Sequence, residues 1–194
     1  MNSMYPKSNT VQAKGRSRSF APPGPSRGRT PASKAAKATR AAPAAPAGRR
    51  IQMRRSGVHG KGVFAVADLR KGEVLIEYVG EVIEWDEALR RHPHDPAQPD
   101  HTFYFHIEDG RVIDANVGGN AARWINHSCA PNCEADEEEG RVFIKALRSV
   151  KAGEELFYNY GLTIDERYTP ALKKKFACHC GARACRGTML SPKR

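Results

Sequence analysis

Three cysteines stand close together near the C-terminal end, as Cys178-x-Cys180-x4-Cys185, with Gly181 and Gly187 beside them. Thiolates at this spacing share a cation more readily than they pack a core, and closed, sulfur-rich sites of four ligands select tetrahedral zinc. A fourth ligand is therefore required. His179 lies between two of the three and would be strained to join them. Cys129 and Cys133 are distant in sequence, and either would tie the C-terminal piece to the rest of the chain. Spacing alone leaves these candidates open; unliganded thiols in a loose tail would give no reason for the clustering. Two other polar groups take a plainer reading. His92, His94, Asp95, Asp100 and His101 fall in a Pro-broken stretch and read as a solvated loop. Glu134 to Glu139 reads as a hairpin tip facing water, with attraction of a basic substrate or of the chain's own tail as the alternative.

The densest mixture of reactive side chains is Asn120-Ala-Ala-Arg-Trp-Ile-Asn-His-Ser-Cys-Ala-Pro-Asn-Cys133. Neither periodicity nor turn chemistry accounts for Asn, Arg, His, Ser and Cys packed together in mid-domain. The elements that must position it are short. Val74, Ile76 and Tyr78 alternate with Leu75, Glu77 and Val79 and predict a strand before Gly80. Glu84–Arg91 predicts one helix, with acids leading, bases trailing, Trp85 and Leu89 four apart, and His92-Pro93 as the stop. Phe103–Ile107 and Arg111–Ile113 flank Glu108-Asp109-Gly110 as a hairpin. Cys133–Leu147 predicts a second hairpin, and Glu155–Tyr160 a further strand. Many short strands with little helix predict a β-rich domain over 51–165, followed by a separate basic, Cys-bearing piece over 166–194.

The remaining residues are of another kind. Of 194 residues, 32 are Lys or Arg and 21 Asp or Glu, a net charge of +11. Residues 1–50 hold eleven of those bases and no acid, so the tail carries the whole excess. Its Ala, Pro, Gly, Ser, Lys and Arg cannot bury enough apolar area to offset ordering, and 1–50 is expected to be disordered. It reads as a solubilising linker, as an arm that attracts nucleic acid or another polyanion, or as a nuclear-localisation signal. No apolar run approaches the roughly 18 residues of a membrane span, and Met1 to Thr10 lacks a secretory h-region. The expectation is a protein without a membrane partner and not exported by the Sec route. Five cysteines in a chain of this length do not suggest a disulfide framework.

The Asn120–Cys133 segment resembles the signature of the SET-domain protein-lysine methyltransferases, RFINHSCxPNC, which stands here as RWINHSCAPNC. Other motifs follow in order. Ser56-Gly-Val-His-Gly-Lys-Gly-Val-Phe64 is similar to the family's first glycine motif, and Glu77-Tyr-Val-Gly-Glu81 to its YxGE strand. Asp114-Ala115 with Gly119-Asn120 matches its DAxxxGN step. Ala152-Gly-Glu-Glu-Leu-Phe-Tyr-Asn-Tyr160 is similar to its AGEELTYDY ending. The three clustered cysteines resemble its post-SET zinc motif. The layout resembles the trithorax type, SET followed directly by post-SET, and compact chains of this kind also occur in bacteria.

The resemblance implies a mainly β fold, the SET β-clip of several small sheets with few short helices. It implies a pseudoknot in which the Asn-His-Ser-Cys segment threads beneath the segment ending at Tyr160, and a zinc-bound C-terminal piece. It implies S-adenosylmethionine as methyl donor and a protein lysine as acceptor, histones or histone-like basic proteins included, with the enzyme a monomer. Location would then be nuclear chromatin in a eukaryotic cell, and the cytoplasm or nucleoid in a bacterium. By position, Lys61, Gly62 and Phe64 offer backbone to the cofactor, Arg123 and Trp124 lie beside it, and Asn126 and His127 hold its ends. Tyr160 is the catalytic tyrosine, and Tyr158 occupies a Phe/Tyr switch that sets the number of methyl groups. The fourth zinc ligand is Cys129, and Cys133 is spare. Four positions depart from the pattern: Trp124 for Phe, Asn159 for Asp, Phe157 for Thr, and Phe103-Tyr104 where relatives place one channel tyrosine. Either Phe103 substitutes for that tyrosine or Tyr104 serves from one place over.

Overall fold

The computed structural model describes residues 50–92, 102–164 and 166–193. The basic tail and most of the 92–101 loop, on which two expectations rest, lie outside the described residues. In chain order the elements are β1 (Ile51–Arg55), β2 (Lys61–Ala65), β3 (Val74–Tyr78), β4 (Glu81–Ile83), α1 (Trp85–Arg91), β5 (Tyr104–His106) and β6 (Val112–Asp114). A 3-10 turn (Ala121–Trp124), β7 (Asn126–His127), β8 (Cys133–Glu138), β9 (Arg141–Ala146), β10 (Phe157–Tyr158) and α2 (Pro170–Lys175) follow.

The strands form small sheets: β1 with β2, β3-β9-β8, β4-β6-β5, and β7 with β10. No sheet among the described residues exceeds three strands, so none builds a core alone. The core lies where they abut, around Val63, Leu69, Phe105, Ile125, Ile144 and Leu156. The mainly β class expected from the sequence is found. Both predicted hairpins form, β5–β6 and β8–β9, in antiparallel register. The predicted strand over Glu155–Tyr160 is shorter. Only Phe157 and Tyr158 join a ladder, because their partner β7 offers two residues.

Helix α1 begins after Glu84, with Asp86 and Glu87 in its first turn and Arg90 and Arg91 in its last, the arrangement the helix dipole favours. Its buried residue is Ala88, while Leu89 is exposed. Arg91 ties the helix to the β4-β6-β5 sheet through Glu81 (2.7 Å) and the fully buried Asp114 (3.1 Å). Helix α2 was not legible as a helix in the basic 166–194 stretch. Thr169 caps it by accepting from Leu172 N, and Pro170 occupies its first turn, where a missing N–H costs nothing. Leu162, Ile164, Phe176 and Leu190 form a second small core. Among the described residues no helix is long and apolar enough to cross a membrane.

Candidate active site

Residues 126–132 and 155–160 run side by side. Asn126 stands opposite Phe157 and His127 opposite Tyr158, in parallel. A two-residue ladder offers few bonds, and Asn132, only 3% exposed, supplies more. Its Nδ2 donates to Glu155 O (2.8 Å), and its Oδ1 accepts from Phe157 N (2.8 Å). Ser128 N adds a bond to Tyr158 O.

The Asn126 amide is oriented by its surroundings. Its Nδ2 faces Lys61 O (2.9 Å), Glu155 Oε1 (3.0 Å) and His59 O (3.4 Å). Three acceptors on one side fix the amide, so Oδ1 is turned away from them. Glu155 reaches this position because residue 62 is glycine: a Cβ there would lie 2.2 Å from Glu155 Oε1. The space beside the Gly62 Cα is thus taken by the Glu155 carboxylate. Phe64 aligns the same strand, opposite Gln52 and bridged to Glu155.

His127 links two parts of the site. Its Nδ1 accepts from Tyr160 N (3.1 Å), which assigns the proton of the neutral ring to Nε2, 3.6 Å from Cys129 Sγ. Burial, with the charge of Arg186 adding to it, pushes the imidazole pKa down to about 4, so the ring is neutral at pH 7.

Tyr158 and Tyr160 face each other with ring centroids 4.9 Å apart. Tyr160 is anchored, its hydroxyl donating to Ile125 O (2.9 Å). Tyr158 is 6% exposed. Burial holds both hydroxyls well above the ordinary tyrosine range. Both therefore stay protonated at neutral pH.

Beside them Trp124 is flanked by cations. Lys61 Nζ lies 4.4 Å and the Arg123 guanidinium 4.9 Å from its ring, while Phe103 meets it edge-on at 4.8 Å. Arg123 is held by Ala115 O (2.7 Å). Neither cation pairs with a carboxylate among the described residues, and together they make a positive, aromatic-backed corner.

Strand alternation separates Phe103 from Tyr104. Phe103 and Phe105 turn to the main core. Tyr104 turns the other way, against Ile83, Ala88 and Val112, with its hydroxyl donating to Ala88 O (3.1 Å). The structure thus brings Phe103 to Trp124 and does not bring Tyr104 to the tyrosine pair. The sequence reading missed Tyr78, whose hydroxyl donates to Phe103 O (3.0 Å) and fixes that wall. It also missed the roles of Asn132 and Glu155. The alternation of β3 was the available signal for Tyr78; the other two carry none locally.

The sulfur atoms of Cys129, Cys178, Cys180 and Cys185 all lie within 4.8 Å of one another. Tetrahedral zinc with Zn–S near 2.3 Å requires sulfur–sulfur edges of about 3.8 Å. Cys129 lies 3.7 Å from Cys178 and 3.9 Å from Cys185. Backbone N–H groups point at three of the sulfurs: Cys129 N at Cys180, Arg186 N at Cys129 and Gly187 N at Cys185. Such donors favour thiolates, the form that binds metal. The donor set fits a structural zinc. Cys133 is outside it, fully buried on β8 opposite Ala146, and His179 is not part of the cluster.

Comparison with known proteins bears on this site. A family model described as SET domain matches residues 60–161. The chain is 38% identical over 143 residues to "Histone-lysine N-methyltransferase 2D" of Homo sapiens, covering 72% of this chain and 2% of that protein. It is 37% identical over 142 residues to "Histone-lysine N-methyltransferase, H3 lysine-4 specific" of Chaetomium globosum, covering 71% and 13%. A solved structure described as "ctPRC2 in an autoinhibited conformation bound to S-adenosylmethionine" superposes with a TM-score of 0.52 at 34% identity, over 59% of this chain and 15% of that one. The chain thus spans a small part of the length of each.

Proposed function

This chain belongs to the SET-domain family, and on that premise we propose that it transfers a methyl group from S-adenosylmethionine to the ε-amino group of a protein lysine. The observation that carries the reading is the tyrosine pair locked to the Asn126-His127 strand, one anchored on Ile125 O and both kept protonated. When bound, S-adenosylmethionine supplies a methyl group on a positively charged sulfur. Its amino-acid end is complementary to Asn126 Oδ1, an acceptor for the ammonium, and to Lys61 and Arg123, partners for the carboxylate. His127, Gly62, Phe64 and Trp124 complete that side, and Cys129, Cys178, Cys180 and Cys185 hold a structural zinc.

Methyl transfer needs an uncharged amine. Neutralising a lysine of pKa about 10.4 at pH 7 costs on the order of 4–5 kcal/mol. In this reading the lysine enters a narrow channel for which Tyr158, Tyr160 and Phe103 supply aromatic walls; such a channel disfavours the ammonium by desolvation and aligns the nitrogen lone pair. We read 51–165 as the catalytic body, 166–194 as the zinc-bound lobe and 1–50 as a basic arm available to nucleic acid. The whole acts as a monomer on a basic protein, histones included, at chromatin or a nucleoid.

Incubating the full chain with labelled S-adenosylmethionine and a panel of basic proteins tests this, with mass spectrometry locating the label. Methyl-lysine is the expected result. Binding of the cofactor without transfer would instead make the chain a binding module.

Two substitutions probe finer parts of the proposal. Tyr158→Phe removes a hydroxyl that can bond the incoming amine directly or through water. Such a bond contributes about 0.5–1.5 kcal/mol, so the change tunes product order more than rate. Products shift from mono- and dimethyl-lysine toward trimethyl-lysine; abundant trimethyl-lysine from the parent would contradict it. Gly62→Ala drives the Glu155 carboxylate away from Asn126. Because Glu155 is a flexible side chain, the fold survives, and cofactor affinity falls about 10-fold, the worth of one charge-assisted hydrogen bond. Calorimetry reads this, and an unchanged Kd would mean that Glu155 does not orient Asn126.

A further inference from the structure

The even charge balance of residues 51–194 conceals a division. Residues 51–165 hold 13 Lys and Arg against 20 Asp and Glu, a net of −7. Residues 166–194 hold eight bases and a single acid, Glu166, a net of +7. The two parts also use their cations differently. In the body, seven of the 13 cations, Arg90, Arg91, Arg111, Arg141, Lys145, Arg148 and Lys151, meet a carboxylate among the described residues. In the lobe, Arg167, Lys173, Lys174 and Arg183 are exposed, and none of the four forms an ion pair among the described residues.

Helix stability explains part of this. Lys173 and Lys174 stand in the last turn of α2, where the helix dipole favours bases. That account does not reach Arg167, before the helix, or Arg183, beyond it. Four exposed cations without a carboxylate partner leave the lobe's charge to be matched by an anionic partner.

We infer that the lobe carries a binding surface for the phosphate backbone of duplex DNA, built on Arg167, Lys173, Lys174 and Arg183. The aromatic residues select this partner by what they do not offer. Phe176 is buried, and the ring of Tyr168 is covered by Lys193 Nζ at 4.7 Å. Among the lobe's Phe, Tyr and Trp side chains no free face is left to stack unpaired bases, the main device of single-strand binding. The large apolar residues exposed in the described chain are Met53, Val74, Val82, Leu89 and Val117, none of them in the lobe, so nothing there enters a bilayer. Positive charge without stacking or insertion is the footprint of backbone contact, which positions a protein without reading sequence. The surface is distinct from the basic tail and does not depend on the methyl-transfer reading. If that reading also holds, a basic substrate on the same duplex meets the enzyme at raised effective concentration.

The test must separate lobe from tail, so it uses the full chain with and without R167Q, K173Q, K174Q and R183Q combined. Binding to a short fluorescent duplex is followed by anisotropy across a salt series. Each lost phosphate contact makes the slope of log affinity against log salt shallower by about 0.9, so the combined variant loses about 3.6 from the slope and binds at least 10-fold more weakly. Circular dichroism, thermal midpoint and zinc content stay those of the parent, which shows that the lobe remains folded. Substituting the ion-paired body cations Arg141 and Arg148 by Gln leaves the slope unchanged. An unaltered slope and affinity in the lobe variant would overturn the proposal, as would equal or tighter parent binding to a single strand or to phosphatidylglycerol vesicles.

Discussion

Replacing Tyr160 by Phe is expected to lower kcat about 100-fold while leaving cofactor affinity within a few-fold of the parent, the size of effect that misplacing a reacting group produces. The ring survives the change, with its neighbours Tyr158 at 4.9 Å and His127 at 5.3 Å. What disappears is the hydroxyl anchored on Ile125 O. Ile125 immediately precedes Asn126, so the anchor couples the channel wall to the strand that carries the proposed cofactor ligands. The same variant tests the assignment of protonation states. Burial holds the Tyr160 hydroxyl above its ordinary range, so it remains neutral through the working pH and titrates no step. The rate should therefore rise with pH in parent and variant alike, as more of the substrate lysine loses its proton, up to the range of its pKa near 10.4. Steady-state kinetics over a pH series reads both points. A variant within threefold of the parent, or one in which the rise with pH is lost, would falsify the positioning role.

Loss of the metal should have an equally large effect by another route. Structural zinc contributes about 10–16 kcal/mol in small peptides, far more than the small core of Leu162, Ile164, Phe176 and Leu190 supplies. Cys185→Ser is expected to lose zinc, the order of residues 176–190 and nearly all turnover. The coupling to activity is geometric: Cys129 lies two residues beyond His127, whose ring faces its sulfur at 3.6 Å. A metal held by Cys129 therefore also holds the end of the strand that lines the site. Cys133→Ser should keep one equivalent of zinc, since Cys133 stands apart from the cluster. Metal analysis with hydrogen exchange over the lobe distinguishes the two variants. Full activity in a metal-free preparation would remove zinc from the proposal.

What could be read from the sequence follows the range of the interactions. The β8–β9 hairpin and α1 are set by neighbouring residues, through alternation, an acidic turn and charges matched to the helix dipole, and both appear where expected. Three of the four clustered cysteines declared themselves by spacing. Choosing between Cys129 and Cys133 required either the family resemblance or the fold, because the choice depends on which one faces the lobe. Phe103 and Tyr104 posed a question of parity: a strand assigns adjacent residues to opposite faces, and local sequence does not say which face is the site. Helix α2 was hidden because its six residues, half of them lysine, display no apolar periodicity. Glu155 behind Gly62 was invisible for a different reason, being a contact between residues far apart in the chain.

The bonds that close the first hairpin onto the rest come from late in the chain. Ala65 N donates to Glu154 O, Leu156 N donates to Val63 O, and Leu69 and Val150 exchange a pair of bonds. Asn126 reaches back 65 residues to Lys61, and Cys129 forward 51 to Cys180. During synthesis, β1 and β2 therefore wait for most of the domain before their inner face finds cover, and the segment around Asn132 must already lie in place when residues 155–157 arrive. Few native contacts are available to reward early ordering, and loop closure is met first, a condition that makes folding slow for the chain's size. The half-made protein displays unpaired strand edges in the meantime, and chaperone demand should peak just before residues 150–157 emerge.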